Sequence, residues 1–290
     1  AFDDMLANNP KAPKLTVLGD ESNQIYFPGN FDTPTHGFAA FHQSTYNNLF
    51  IDGLSITAGI RLDYEKAELT YHSAVDSMKI GVQMGPMNIT LPVNTVMDGN
   101  ISQDFLQVLP KVSLRYQCTP GTFTYVSVAK GYKTGGYNVQ MFGDLVQAEA
   151  QYELQSKFMP DGAKKPGEVK DVASYKPEHS WNYEAGIRSE LIKGRLSSEL
   201  TLFYMDIRDI QLTSFAENGS GRLITNGGKA NSYGVEVSLR SRITEGLTAD
   251  LNYGFTHASF RDYVFTDKNE QGKIVETDCK DNYIPYTPRH

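Results

Sequence analysis

No stretch of the 290-residue sequence approaches the roughly 18 consecutive apolar residues that a helix needs to cross a bilayer, so a helical membrane protein is excluded. Lysine and arginine are nowhere clustered and the formal charge is −7, which leaves no electrostatic footprint for nucleic acid or for an anionic membrane surface. The two cysteines, Cys118 and Cys279, are too few for a disulfide framework and lack zinc-ligand spacing. The six histidines never fall at ligand spacing. No nucleophile elbow, phosphate-binding loop or dinucleotide fingerprint occurs, and Gly227-Gly228-Lys229 lacks the surrounding residues of a phosphate loop. No catalytic, metal or cofactor site is therefore expected, and an enzymatic role has no sequence support. The opening residues, AFDDMLANNPKAPK, hold no charged segment followed by an apolar one, so no export signal is expected there.

Two oxygen-rich stretches imitate cation loops without their context. DKNEQGKIVETD places Asp267, Asn269, Gln271, Gly272 and Asp278 at calcium-loop spacing, but the preceding Tyr263-Val264-Phe265 reads as strand and the twelfth position is Asp where a bidentate Glu is needed. A polar hairpin tip is expected there. Asp98, Asn100, Ser102 and Asp104 form another oxygen-rich loop, for which a cation site is equally not expected.

What the chain does have is tyrosine, 17 residues against a single tryptophan, and period-two alternation. Alternation puts successive side chains on opposite faces of a strand. Leu247, Ala249, Leu251, Tyr253 and Phe255 share one face while Thr248, Asp250, Asn252 and Gly254 take the other. Tyr233 to Leu239, Trp181 to Ile187 and Leu54 to Leu62 repeat the pattern. Strands are expected near 36–49, 54–74, 104–118, 122–138, 178–192, 195–213, 224–243 and 247–263, with another beginning at Pro288. Residues 144–157 alone suggest a helical turn.

The connections alternate in length. Short turns are expected at 50–53, 119–121, 193–194 and 244–246, with long polar segments at 75–103, 139–177, 214–223 and 264–287. A membrane β-barrel with short turns at one rim and long loops at the other produces this alternation, whereas a soluble sandwich has no reason to keep it. The expected fold is all-β, an antiparallel transmembrane β-barrel. Leu200, Leu202, Val235, Leu239, Leu251 and Phe255 should form an outward apolar band, with Trp181, Tyr183, Tyr204 and Tyr233 in its aromatic girdle. Counting from the turns sets Ile192 opposite Arg195 and Arg188 opposite Glu199. It likewise sets Ile243 opposite Leu247 and Arg240 opposite Asp250, with Gly246 left-handed at the hairpin tip. Cys118 and Cys279 should stand at opposite rims and remain unpaired. In Gly131-Tyr132-Lys133-Thr134-Gly135-Gly136-Tyr137-Asn138, at a loop end, Tyr132, Lys133 and Tyr137 could face a ligand; the tyrosines equally suit an interfacial girdle.

Several segments in order resemble the barrel of the TonB-dependent receptors: LSITAGIRLDY (54–64), LPKVSLRY (109–116), YVSVAKGYKTGGYN (125–138), KPEHSWNYEAGIR (176–188), LTLFYMDIRDIQ (200–211), NGGKANSYGVEV (226–237) and IPYTPR (284–289). The resemblance implies that residues 1–290 form the middle to later part of a barrel of about 22 strands, with the plug and the barrel ends absent. It also implies an outer-membrane location and import of a scarce ligand, a ferric siderophore first, driven by the TonB–ExbB–ExbD complex. A glycan or cobalamin importer has the same architecture. An outer-membrane barrel enzyme and a secreted all-β adhesin are the competing classes. The first needs a polar catalytic pair facing outward, and the second needs both sheet faces covered.

Overall fold

A strand that alternates between apolar and polar residues needs neighbours on both edges to satisfy its backbone, and consecutive strands joined by tight turns supply them. The computed structural model describes residues 14–19, 25–76, 78–84, 86–158, 163, 165–215, 222–268 and 274–290. In chain order they form β1 (Lys14–Leu18), β2 (Gly29–Asp32), β3 (Thr35–Asn47), β4 (Leu54–Ala74), β5 (Lys79–Met84), β6 (Met87–Pro92), β7 (Val96–Thr119), β8 (Thr122–Lys133) and β9 (Gly136–Tyr137). A 3-10 turn (Val139–Met141), α1 (Phe142–Phe158) and α2 (Val169–Ala173) follow. Then come β10 (Ser174–Tyr175), β11 (Glu178–Ile192), β12 (Leu196–Phe215), β13 (Arg222–Thr244), β14 (Leu247–Asp262), β15 (Val264–Lys268) and β16 (Ile274–Asp278).

Nine strands make one antiparallel sheet in the order β14-β13-β12-β11-β8-β7-β4-β2, with β3 also paired to β4. β3 to β14 run as a meander, so the short turns gather at one end and the long connections at the other. Cys118 lies beside the short turn after β7, while Cys279 donates its backbone N–H to Tyr263 beyond the far end of β14; both are free thiols.

β4, β7, β12 and β13 have 20 to 24 residues. About 9–11 tilted residues cross a bilayer, so the remainder of each projects beyond it. That projection accounts for where the sequence underestimated the strands. The segment 75–103, expected as polar loop, contains β5 and β6, which pair with each other and with β1, and β7 begins at Val96 instead of 104. The helical turn at 144–157 is a full helix, α1. β8 ends at Lys133, short of 138, where Thr134 and Gly135 carry the chain out of the ladder. From Asn282 to Arg289 the chain runs along the edge of β14, with Phe260 N–H donating to Asn282 O, Ile284 N–H to Ala258 O, and Thr256 N–H to Arg289 O. The chain thus meets β14 before Pro288, and no regular strand is assigned there. β15 and β16 pair as a hairpin, as the failed calcium pattern implied; Asn269, Gln271 and Gly272 lie outside the described residues, as does Ala1 to Pro13 of the opening segment.

Candidate functional site

Ladder register decides which side chains share a face. Tyr183, Tyr204, Tyr233 and His257 stand in one row, Ala185, Leu202, Val235 and Phe255 in the next, then Ile187, Leu200, Val237 and Tyr253, then Ser189, Ser198, Leu239 and Leu251. The rows continue through Val126 and Val128 of β8 and Val112 and Leu114 of β7 to Ile56 and Ala58 of β4. On this face Leu202 is 50% exposed, Val126 50% and Leu251 64%, with no second sheet against them among the described residues. Continuous apolar surface on this scale needs a covering medium. The opposite face carries Thr57, Arg61, Asp63, Ser113, Arg115, Ser127, Glu184, Arg188, Glu199, Thr201, Glu236, Arg240, Asp250 and Asn252. Here Tyr125 donates to Glu184 Oε1 at 2.5 Å, and its ring fills the space above Gly186. Two open recesses of about 310 and 140 Å³ lie on this polar face around Glu199 and Ser238.

The connection between β8 and β11 folds over the polar face, not the apolar one. Its anchor is Phe142, at 1% exposure, which meets Phe31 and Tyr71 at ring distances of 4.9 and 4.7 Å and packs with Leu69, Leu145 and Ala173. Leu69 and Tyr71 share the side of Ala67, Glu65 and Asp63, because β4 keeps its register with β7 throughout. Next to this cluster, Val146 and Ala150 of α1 pack with Val75, Met78, Ile80 and Val93 of the β5–β6 region. Fully burying a residue of the size of Leu or Phe contributes about 1.5–3 kcal/mol, so these two clusters hold α1 against the projecting part of the sheet.

Polar groups complete the attachment. Asn138 donates through Nδ2 to Ile224 O (2.9 Å), accepts from Ile224 N–H (2.8 Å), and sends its own N–H to Ala173 O (2.7 Å). Gln211 Nε2 donates to Thr134 O and Lys176 O, and Asn226 Nδ2 donates to Lys176 O and Asp209 O. Side-chain amides thus satisfy backbone groups that leave the ladder at the strand exits.

The three residues picked from sequence all lie at this junction. Beyond Lys111 and Ala129, β7 and β8 no longer pair, and the Tyr132 hydroxyl lies 3.4 Å from Glu65 Oε2 on β4. Lys133 Nζ is 2.9 Å from Glu178 Oε1, whose other oxygen accepts from Gln211 N–H. Tyr137 donates to Ala67 O at 3.3 Å, and burial raises its phenol above the ordinary tyrosine value. The structure brings the three together at one exit but engages each polar end with the sheet. Sequence reasoning missed Asn138, Glu178, Gln211 and Asn226, whose partners are 17 to 86 residues away. Two buried side-chain atoms here, Thr134 Oγ1 and His179 Nδ1, have no hydrogen-bond partner within the described residues. Among those residues no cluster of His, Cys, Asp and Glu is arranged to hold a metal.

Comparison with known proteins agrees with this geometry. The family described as TonB dependent receptor-like, beta-barrel, matches residues 4–290. The pesticin receptor of Yersinia pestis is 25% identical over 279 residues, 96% of this chain and 32% of the relative. The pesticin receptor of Yersinia enterocolitica serotype O:8 is 24% identical, again over 96% of this chain and 32% of the relative. The chain therefore spans about a third of the length of the curated relatives it matches. The crystal structure of the ferric yersiniabactin uptake receptor from Yersinia pestis superposes with a TM-score of 0.56 at 22% identity, over 91% of this chain and 31% of that one, a likeness of fold.

Proposed function

Because the chain belongs to the TonB-dependent receptor family, through its β-barrel, we propose that it forms part of the wall of an outer-membrane importer of about 22 strands. The observation that carries this reading is the bare apolar face backed by a polar face. A bilayer covers such a face, and a water-filled or plugged lumen accommodates its reverse. The sheet edges support it as well. The lower half of β14 and the outer edge of β3 leave unpaired backbone groups among the described residues, and in a lipid environment only closure of the barrel satisfies them. On this reading residues 1–290 are a barrel segment whose wall is the nine-stranded sheet, and the plug and remaining strands belong to other parts of the protein.

The transported ligand is proposed to be a ferric siderophore. One of the named relatives, a ferric yersiniabactin uptake receptor, supports that choice. TonB–ExbB–ExbD is the proposed source of work. Tyr132, Lys133 and Tyr137 are proposed to border the ligand's path, supported by the unpartnered Thr134 Oγ1 beside them, which a polar ligand could satisfy.

The test uses the intact receptor in outer-membrane cells stripped of their own siderophore receptors. Uptake of radioactive iron carried by a siderophore should appear with the receptor and vanish with a protonophore or without TonB. Uptake of cobalamin or an oligosaccharide instead, with none of iron, would reassign the ligand and leave the wall intact. Lys133→Ala should weaken binding of whichever ligand is carried; unchanged affinity in Lys133→Ala and Tyr132→Phe together would remove those residues from the site.

A further inference from the structure

The apolar face ends upward in the row Tyr183, Tyr204, Tyr233 and His257. Two residues further along each strand stand Trp181, Asp206, Asn231 and Ser259, and two further still, three on β14, His179, Arg208, Lys229 and Asp262. In that last row Arg208 and Lys229 are direct cross-strand partners. Like charges placed directly opposite each other in a ladder repel and destabilise the pairing. Instead of being dispersed, the repulsion is joined by a third cation. Between Lys229 and Ala230 the β13–β14 register shifts, Arg261 is the extra residue, and its Nη1 reaches Asp206 Oδ1 at 2.8 Å. Arg208 Nε approaches the other oxygen of the same carboxylate at 3.4 Å. Lys229 Nζ has Asp262 at 3.4 Å. Three cations thus share two carboxylates, and Arg208, Lys229 and Arg261 remain 65%, 53% and 51% exposed at the side chain, while Asp206 is only 16% exposed beneath them.

The height of the cluster identifies its partner. Four residues beyond the tyrosine row correspond to about 13 Å along a strand, or about 9 Å along the bilayer normal at a tilt near 45°. The headgroup layer is about 5–7 Å thick on each side of the hydrocarbon, so the cations stand at its outer edge, from which long arginine and lysine side chains reach back into it. The cluster lies on the face that the lipid-exposed band occupies and is continuous with it. It is also absent from the polar reverse face, so a lumenal ligand does not meet it.

We propose that Arg208, Lys229 and Arg261 form a docking site for the phosphate of a membrane-lipid headgroup, in the leaflet at the long-connection end. The inference rests on the membrane-wall reading above. Exposed guanidinium forks present paired donors to phosphate oxygens, and the phosphate offsets the repulsion between Arg208 and Lys229. Asp206 pairs with both arginines from below and competes with the phosphate for them.

The experiment reconstitutes the intact receptor in phosphatidylcholine bilayers carrying spin-labelled phosphatidic acid or spin-labelled phosphatidylcholine, and measures the motionally restricted fraction of each label. The restricted fraction should be larger for phosphatidic acid, with a relative affinity of about twofold or more for sites of this charge. R208Q/K229Q/R261Q should bring the two labels to parity, and Asp206→Asn, which removes a competing carboxylate, should raise the preference. Equal restriction of both labels in the unaltered protein would overturn the proposal, as would a preference that survives the triple substitution or is unmoved by Asp206→Asn. Absence of any restricted lipid, for either label, would instead overturn the membrane-wall reading itself.

Discussion

Arg240 Nε lies 2.7 Å from Asp250 Oδ1, directly across the β13–β14 ladder on the polar face, although the hairpin tip below them departs from its expected form. Counting from a three-residue turn put Ile243 opposite Leu247. The structure pairs Thr244 with Leu247 and inserts Ile243 as an irregularity, and Gly246 is not left-handed. A three-residue loop and a two-residue turn with one bulged residue consume the same length of chain, so the register above the tip is unchanged. The β11–β12 hairpin behaves alike. Ile192 pairs with Leu196 instead of Arg195, a shift lies between Glu190 and Ile192, and Arg188 still faces Glu199. There the left-handed residue is Gly194, at φ 67°.

This register predicts a cross-link. Arg240→Cys with Asp250→Cys should close a disulfide on mild oxidation, since directly opposed residues hold their Cα atoms about 4.5–5.5 Å apart, within disulfide reach. Arg240→Cys with Asn252→Cys should not. Non-reducing electrophoresis of the intact receptor reads the outcome, and closure of the second pair alone would show a slipped ladder.

The two faces should respond oppositely to charge. Leu202→Arg is expected to destabilise folding into a bilayer by about 2–4 kcal/mol, whereas Thr201→Arg on the reverse face should change little. Denaturant titration of lipid-reconstituted protein measures both. Comparable losses at the two neighbouring positions would contradict the assignment of lipid and lumen sides.

Removing the Asn138 side chain should loosen the β8–β11 connection while leaving the sheet. Asn138 is 7% exposed, and Asn138→Ala leaves the Ile224 N–H and C=O without their partners, a cost of about 1–3 kcal/mol for a buried group. Hydrogen exchange should speed at Ile224 and through 138–173 and remain slow at Leu202. Uniform acceleration across both regions would mean that the connection is not a separate unit.

Phe142→Ala should detach α1 from the polar face. Truncating a buried phenylalanine costs about 3–5 kcal/mol, and here the loss falls on Phe31, Leu69 and Tyr71, above the lipid-facing rows. The expected result is protease cleavage within 142–173 of an otherwise intact, membrane-inserted barrel; resistance equal to that of the unaltered protein would place the anchor elsewhere.

Thiol labelling tests the orientation of the ends. A membrane-impermeant maleimide applied to intact cells should modify Cys279 and spare Cys118, and disruption of the outer membrane should expose Cys118. Labelling of Cys118 in intact cells would invert the topology.

The sequence by itself determined the strands and their faces, because alternation is local: Leu200, Leu202 and Tyr204 declare one side and Glu199, Thr201 and Phe203 the other, and short turns then lock each strand to the next. It also determined the register of Arg188 with Glu199 and of Arg240 with Asp250, since chain length through a turn is conserved even where the turn's form is not. Only the tertiary structure decided where the long connections go. Nothing periodic marks Asn138, Gln211 or Asn226, and Phe142 opens a helix whose pattern is scarcely amphipathic, because their partners are strands distant in the chain. The gathering of Arg208, Lys229 and Arg261 around two carboxylates has the same origin, arising when three strands and a one-residue irregularity bring together charges that the sequence keeps apart.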